Sequence, residues 1–162
     1  MAIRVLLDTN AIISLFKENI SVVSEVDIAD EVFISIINEL EFKSFLNLSS
    51  HDKTLFDDFA SMVNILDLQA SNIALKNKII EIRNKYRLKL PDAIIAASAI
   101  VHEALLVNYE KEKDAWINDE MKILQRDFLP QHLKSASHRK KKKKSIFAQS
   151  HKATKPQRLT KK

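Results

Sequence analysis

The stretch at residues 2–16, AIRVLLDTNAIISLF, constrains the fold more than any other: an apolar run that stops at Asp8-Thr9-Asn10 and then resumes. Ile3, Val5, Leu6 and Leu7 are apolar almost without alternation, which suits a strand covered on both faces within a parallel sheet. Ala11, Ile12, Ile13, Leu15 and Phe16 continue as a helix, with Thr9 or Asn10 available as its N-cap. Asp8 therefore falls at the carboxyl end of a strand and beside a helix N-terminus, where open α/β sheets keep their ligand sites. Capping or turn formation would also account for an isolated Asp-Thr-Asn, so partners elsewhere must decide its role.

Composition narrows the chemistry. With 162 residues, 46% of them hydrophobic, the chain can bury one sizeable core. It has no cysteine, so thiolate metal sites and cysteine nucleophiles are excluded, and a bound metal must take oxygen or imidazole ligands. A hard cation such as Mg²⁺ fits that inventory. It has no glycine either, which excludes the phosphate-cradling loops of P-loop and dinucleotide-binding proteins. There is no leader pattern and no apolar run of roughly 18 residues, so a cytoplasmic protein without a membrane span is expected. The net charge of +5 is unevenly placed: residues 139–162 hold eleven of the 26 Lys and Arg and no acid, leaving fifteen cations against 21 acids in an acidic body.

Further elements follow in alternation. Residues 31–37, EVFISII, read as a second strand, and residues 38–48 as a helix burying Leu40, Phe42, Phe45, Leu46 and Leu48. Asn38 is the expected cap of that helix, with Glu39 and Glu41 in its first turn. A helix over 53–63, a short strand over 65–68 and a long helix over 70–86 come next, the last burying Ile73, Leu75, Ile79, Ile80 and Ile82. The end of that helix is basic, with Lys76, Lys78, Arg83, Lys85, Arg87 and Lys89 against Glu81. This is either a solvated face whose cations suit a helix C-terminus or a rim that tracks phosphates. Pro91 suits the first position of a nearly all-apolar helix, and it puts Asp92 in the first turn at the positive end of the dipole. Residues 104–107 read as a further central strand, 116–121 as helix and 122–124 as a last short strand. From residue 135 the periodicity ends, and RKKKKK at 139–144 marks a basic, disordered tail suited to contact with nucleic-acid phosphates.

In a sheet ordered 3-2-1-4, Asp8, Glu41 and Asp92 meet at one edge. Two carboxylates about 4 Å apart repel by about 4 kcal/mol at an effective dielectric near 20, so such a cluster calls for a neutralising cation, Mg²⁺ or Mn²⁺. The chemistry that follows is metal-assisted phosphodiester hydrolysis.

LLDTNAIISL, ISIINELEF and YRLKLPDAIIAASAI resemble the PIN-domain nucleases, and within them the VapC-type toxin ribonucleases. The resemblance covers residues 3–128. It implies a three-layer α/β/α PIN-like fold, with a central parallel sheet of four or five strands, over residues 1–134, and it does not extend to the basic tail at 135–162. It places the family's first three acids on Asp8, Glu41 and Asp92, with Glu41 preferred to Glu39 because it stands six residues after Ser35 with Asn38 halfway. The fourth motif departs from the family's Thr-x-Asp pattern: Glu110 takes the first acidic place, and Asp114-Ala115-Trp116 is a displaced Asp-Phe feature. The implied function is a Mg²⁺-dependent endoribonuclease, the toxin of a toxin–antitoxin pair, forming a homodimer and blocked by a small antitoxin. The alternatives are a noncatalytic RNA-binding module that uses the tail, or a nuclease acting on DNA.

Overall fold

A computed structural model describes residues 2–108. Four parallel strands, β1 (Arg4–Leu7), β2 (Glu31–Ser35), β3 (Asn64–Leu66) and β4 (Leu105–Val107), form one sheet in the order β3-β2-β1-β4. That is the expected order. Val5 stands opposite Val32 on one side and Leu105 on the other, and Leu7 opposite Ile34 and Val107.

Helices cover both faces, and alternation along the strands sorts the core into two halves. Leu6 and Phe33 point to one side and pack with α5 (Ile73–Tyr86) and α6 (Leu90–Val101), through Leu75, Ile79, Ile82 and the apolar residues of α6. Val5, Leu7, Val32 and Ile34 point to the other. They meet α1 (Thr9–Phe16), α2 (Ile20–Ile28), α3 (Ile36–Lys43) and α4 (Ser50–Ala60). Three layers result. A phenylalanine cluster ties α4 to the second half: Phe42 and Phe56 stack with centroids 4.6 Å apart, and Phe16 meets Phe42 and Phe59 edge-on.

Boundaries differ from the sequence expectations where side-chain capping wins over apolar pattern. The second strand ends at Ser35, whose hydroxyl accepts from the Ile37 N–H, while Asn38 at N3 reaches back to the Ser35 N–H in a capping box. Ile36 and Ile37 therefore open α3, and Asn38 is not its cap. α3 stops at Lys43, so Phe42 is buried but Leu40 is 60% and Leu46 100% exposed. On α5, Ile73 and Ile80 are 65% and 57% exposed, on the face turned away from α6. Lys89 is the N-cap of α6, so Pro91 occupies its second position and Asp92 its third.

Without glycine, tight connections fall on other residues. Glu18, Arg87 and Glu103 take left-handed conformations, with φ of 56°, 55° and 52°. Each such residue costs roughly 1–2 kcal/mol against a right-handed one. The anticipated elements at 116–121 and 122–124 and the basic tail lie outside the described residues.

Candidate metal and catalytic centre

Parallel pairing brings the carboxyl ends of all four strands to one edge, and the Asp8 N–H bonds the Val107 carbonyl at 3.1 Å, joining β1 to β4 there. Asp8 is buried at that edge and is itself the N-cap of α1, its Oδ1 accepting from the Ala11 N–H at 2.6 Å. The cap is thus Asp8 rather than Thr9 or Asn10. A carboxylate at this place is favoured by the positive end of the α1 dipole.

Thr9, released from capping, has another task. Its Oγ1 accepts from Asn38 Nδ2 at 3.1 Å and donates to Glu41 Oε2 at 2.5 Å. Asn38 is fully buried, and its Oδ1 accepts from the Ser35 N–H at 2.8 Å. A relay therefore runs from the β2 backbone through Asn38 and Thr9 to Glu41, each donor facing an acceptor. It orients the Glu41 carboxylate beside the residue that follows Asp8. Glu41 lies in the second turn of α3, and Glu39, in the first, turns away to Lys43 at 2.8 Å.

Asp92 in the first turn of α6 feels both burial and Glu41. Burial raises its carboxyl above the ordinary aspartate range, the Glu41 charge raises it further, and Lys89 partly opposes both. Glu41 and Asp92, 51 positions apart, are electrostatic neighbours because α3 and α6 approach each other directly, with Ile37 of α3 packed against the α6 side of the core.

Among the described residues, no three His, Cys, Asp or Glu side chains are gathered closely enough to form a metal cage. What is assembled is a Glu41 and Asp92 pair, with Asp8 linked to it through its neighbour Thr9. The chemistry of the set fits a hard cation: all donors are carboxylate oxygens, and Asp92, held up first by burial and then by the charge of Glu41, stands next to a second acid. Glu110 and Asp114 lie outside the described residues.

Thr9 and Asn38 are the contributors that sequence reading left without a functional role. Their signal was present in two patterns, a threonine directly after the strand-end acid and an asparagine three residues after the strand-end serine.

A toxin–antitoxin complex from Klebsiella pneumoniae contains a chain similar to this one, 27% identical with a TM-score of 0.55, the match covering 70% of this chain and 92% of that one. A VapBC2 complex from Rickettsia felis bound to a DNA fragment from their promoter shares the fold at 19% identity and a TM-score of 0.52, over 70% of this chain and 92% of that one. Among curated proteins none matches the sequence. Toxin–antitoxin complexes are thus among the structures it resembles; the family model described as PIN domain matches residues 5–114, well over half of the chain, and the chain belongs to the PIN domain family.

Proposed function

We propose that the protein is a Mg²⁺-dependent endoribonuclease, with Mn²⁺ able to substitute, acting as the toxin of a toxin–antitoxin pair. The observation that carries this reading is the Glu41 and Asp92 pair, two acids on the contacting helices α3 and α6 of a PIN domain, near enough for the charge of Glu41 to act on Asp92. In this reading Asp8, Glu41 and Asp92 hold the cation, and Glu110 or Asp114 positions the attacking water. The bound cation supplies an acidified water and charge neutralisation at the phosphate. The chain's own residues do the rest. Asp8 is immobilised by the first turn of α1, and Thr9 and Asn38 hold Glu41 in one orientation. Lys89 stands beside Asp92 as a cation facing the incoming phosphodiester.

The likeness to a toxin–antitoxin complex supports an antitoxin partner, and the exposed Leu40, Phe45 and Leu46 at the end of α3 offer apolar surface for it. Residues 1–134 form the catalytic unit in this proposal, and the basic segment at 135–162 adds nonspecific attraction for RNA. A homodimer is the proposed assembly. No helix among the described residues is long and apolar enough to cross a membrane.

The test uses the full chain and a labelled single-stranded RNA. Cleavage should require Mg²⁺ or Mn²⁺, stop with EDTA, and be lost in Asp8→Asn while circular dichroism shows an intact fold. Undiminished cleavage by the Asp8→Asn, Asp92→Asn double variant would overturn the assignment. A matched DNA strand, run in parallel, should remain intact.

A further inference from the structure

Three exposed cations, Arg83, Arg87 and Lys89, gather at the junction of α5 and α6. The junction is a three-residue turn, Arg87-Leu88-Lys89, in which Leu88 is buried against the packed faces of α5 and α6 while Arg87 and Lys89 stand exposed on either side of it. Arg83 is also exposed and lies four residues before Arg87, on the same side of the helix. It is about 6 Å from Arg87 along the axis. Among the described residues, none of the three makes an ion pair within 4 Å, whereas Lys78 on α5 itself and Lys43 on α3 do.

The helix dipole accounts for part of this and fails for the rest. Arg83, in the last turn of α5, is favoured by the negative helix end. Lys89 is not: it is the N-cap of α6, where the dipole disfavours a cation, and its side chain makes no capping hydrogen bond. Arg87 occupies a left-handed C-cap, with φ 55° and ψ 29°, a conformation suited to glycine or asparagine. Both residues are poor choices for the backbone they occupy, on a body that is acidic outside its C-terminal segment. What they share is position. Lys89 is close enough to act on Asp92, three residues further on, and Arg83 and Arg87 stand exposed at the same junction of the packed helices α5 and α6.

A carboxylate site repels a polyanion, so a nuclease needs cations at the mouth of its site to bring the backbone in. Resting on the nuclease reading above, we propose that Arg83, Arg87 and Lys89 form a phosphate-binding rim that leads single-stranded RNA across the α5–α6 turn to the Glu41 and Asp92 pair.

The test measures binding by fluorescence anisotropy with a labelled single-stranded oligoribonucleotide in EDTA, using the full chain with its basic tail retained. The Arg83→Gln, Arg87→Asn, Lys89→Gln triple variant should bind about tenfold or more weakly, and its log affinity against log salt should be shallower by about 2, since each lost contact to a single strand removes about 0.7. Arg87→Asn alone should weaken binding while melting at or above the wild-type temperature, which separates a lost contact from a lost fold. Lys53→Gln, an exposed cation on α4, serves as the charge control and should leave affinity unchanged. A triple variant with wild-type affinity and slope overturns the rim, even if the protein cleaves RNA. Rim-dependent binding by a protein that never cleaves RNA with Mg²⁺ would instead overturn the nuclease assignment and leave the rim standing.

Discussion

The hydroxyl proton of Thr9 has one destination, the Glu41 carboxylate, because Asn38 Nδ2 already donates to the same oxygen. A residue adjacent to one proposed metal ligand thereby sets the direction of another, 32 positions away.

Thr9→Val keeps the shape and removes the relay. Groups that orient metal ligands are worth roughly 10–100-fold in activity or metal affinity, so RNA cleavage should fall by that factor. The Asn38 amide loses its partner as well, at a cost of about 1–3 kcal/mol in stability. Thr9→Ser, which retains the hydroxyl, should recover most of both. Cleavage by Thr9→Val at the wild-type rate would remove Glu41 orientation from the mechanism.

Asp92→Asn should stabilise the metal-free protein. The folded-state pKa of Asp92 is raised by burial and by Glu41, so its favourable contribution is present below the ordinary aspartate range and lost as pH rises through the folded value. At neutral pH the ionised group opposes folding, and the amide relieves it. Since Asp92 is only half-buried, solvent screening holds the gain in melting temperature to roughly 2–4 °C. Mg²⁺ should then raise the melting temperature of the wild type and have little effect on the variant. Differential scanning calorimetry in EDTA and in Mg²⁺ reads both, and a variant less stable than wild type in EDTA contradicts the reading.

His102 gives a stability change of the opposite sense on acidification. Burial and then the Arg4 guanidinium lower its pKa below the usual histidine value. Its contribution is therefore present above about pH 6.5 and lost as pH falls through the depressed folded value. Melting temperature should decline below pH 6.5 more steeply in the wild type than in His102→Gln. Parallel pH profiles for the two proteins would show that the ring titrates as if in water.

Phe56 is completely buried and stacked on Phe42. Phe56→Ala should cost about 3–5 kcal/mol, and Phe56→Leu, which leaves a smaller void, distinctly less. Urea denaturation of the two variants gives the comparison. Equal losses would mean that the aromatic stack, and not the filled volume, is what matters there.

The strand order and the three layers were legible because uninterrupted apolar runs and alternating helices leave a parallel sheet few arrangements. Asp8 and Asp92 were legible for a related reason, each standing where an apolar element begins or ends. The sheet edge joins Asp8 to β4, and Asp92 proves to neighbour Glu41. The buried face of α3 was misread, since hydrophobic spacing through Leu48 carries no information about the capping box that starts the helix two residues early or about its end at Lys43. Ile73 and Ile80 were misassigned to the core for a similar cause: on a helix packed by one stripe, Leu75, Ile79 and Ile82 fill the contact and the other isoleucines remain in water. The Thr9, Asn38 and Glu41 relay was invisible because it depends on side chains from two helices meeting across strand ends, which no local spacing encodes.

The left-handed residues Glu18, Arg87 and Glu103, in a chain devoid of glycine, mark places among the described residues where the backbone is bent against its preference. Glycine at Glu18 or Glu103 would relax that bend and so offers a route to a tougher protein that leaves the acidic edge untouched. The same exchange at Arg87 would ease the turn while stripping a charge from the approach to the acids, so improvement in folding and loss of grip on a polyanion would arrive in one substitution.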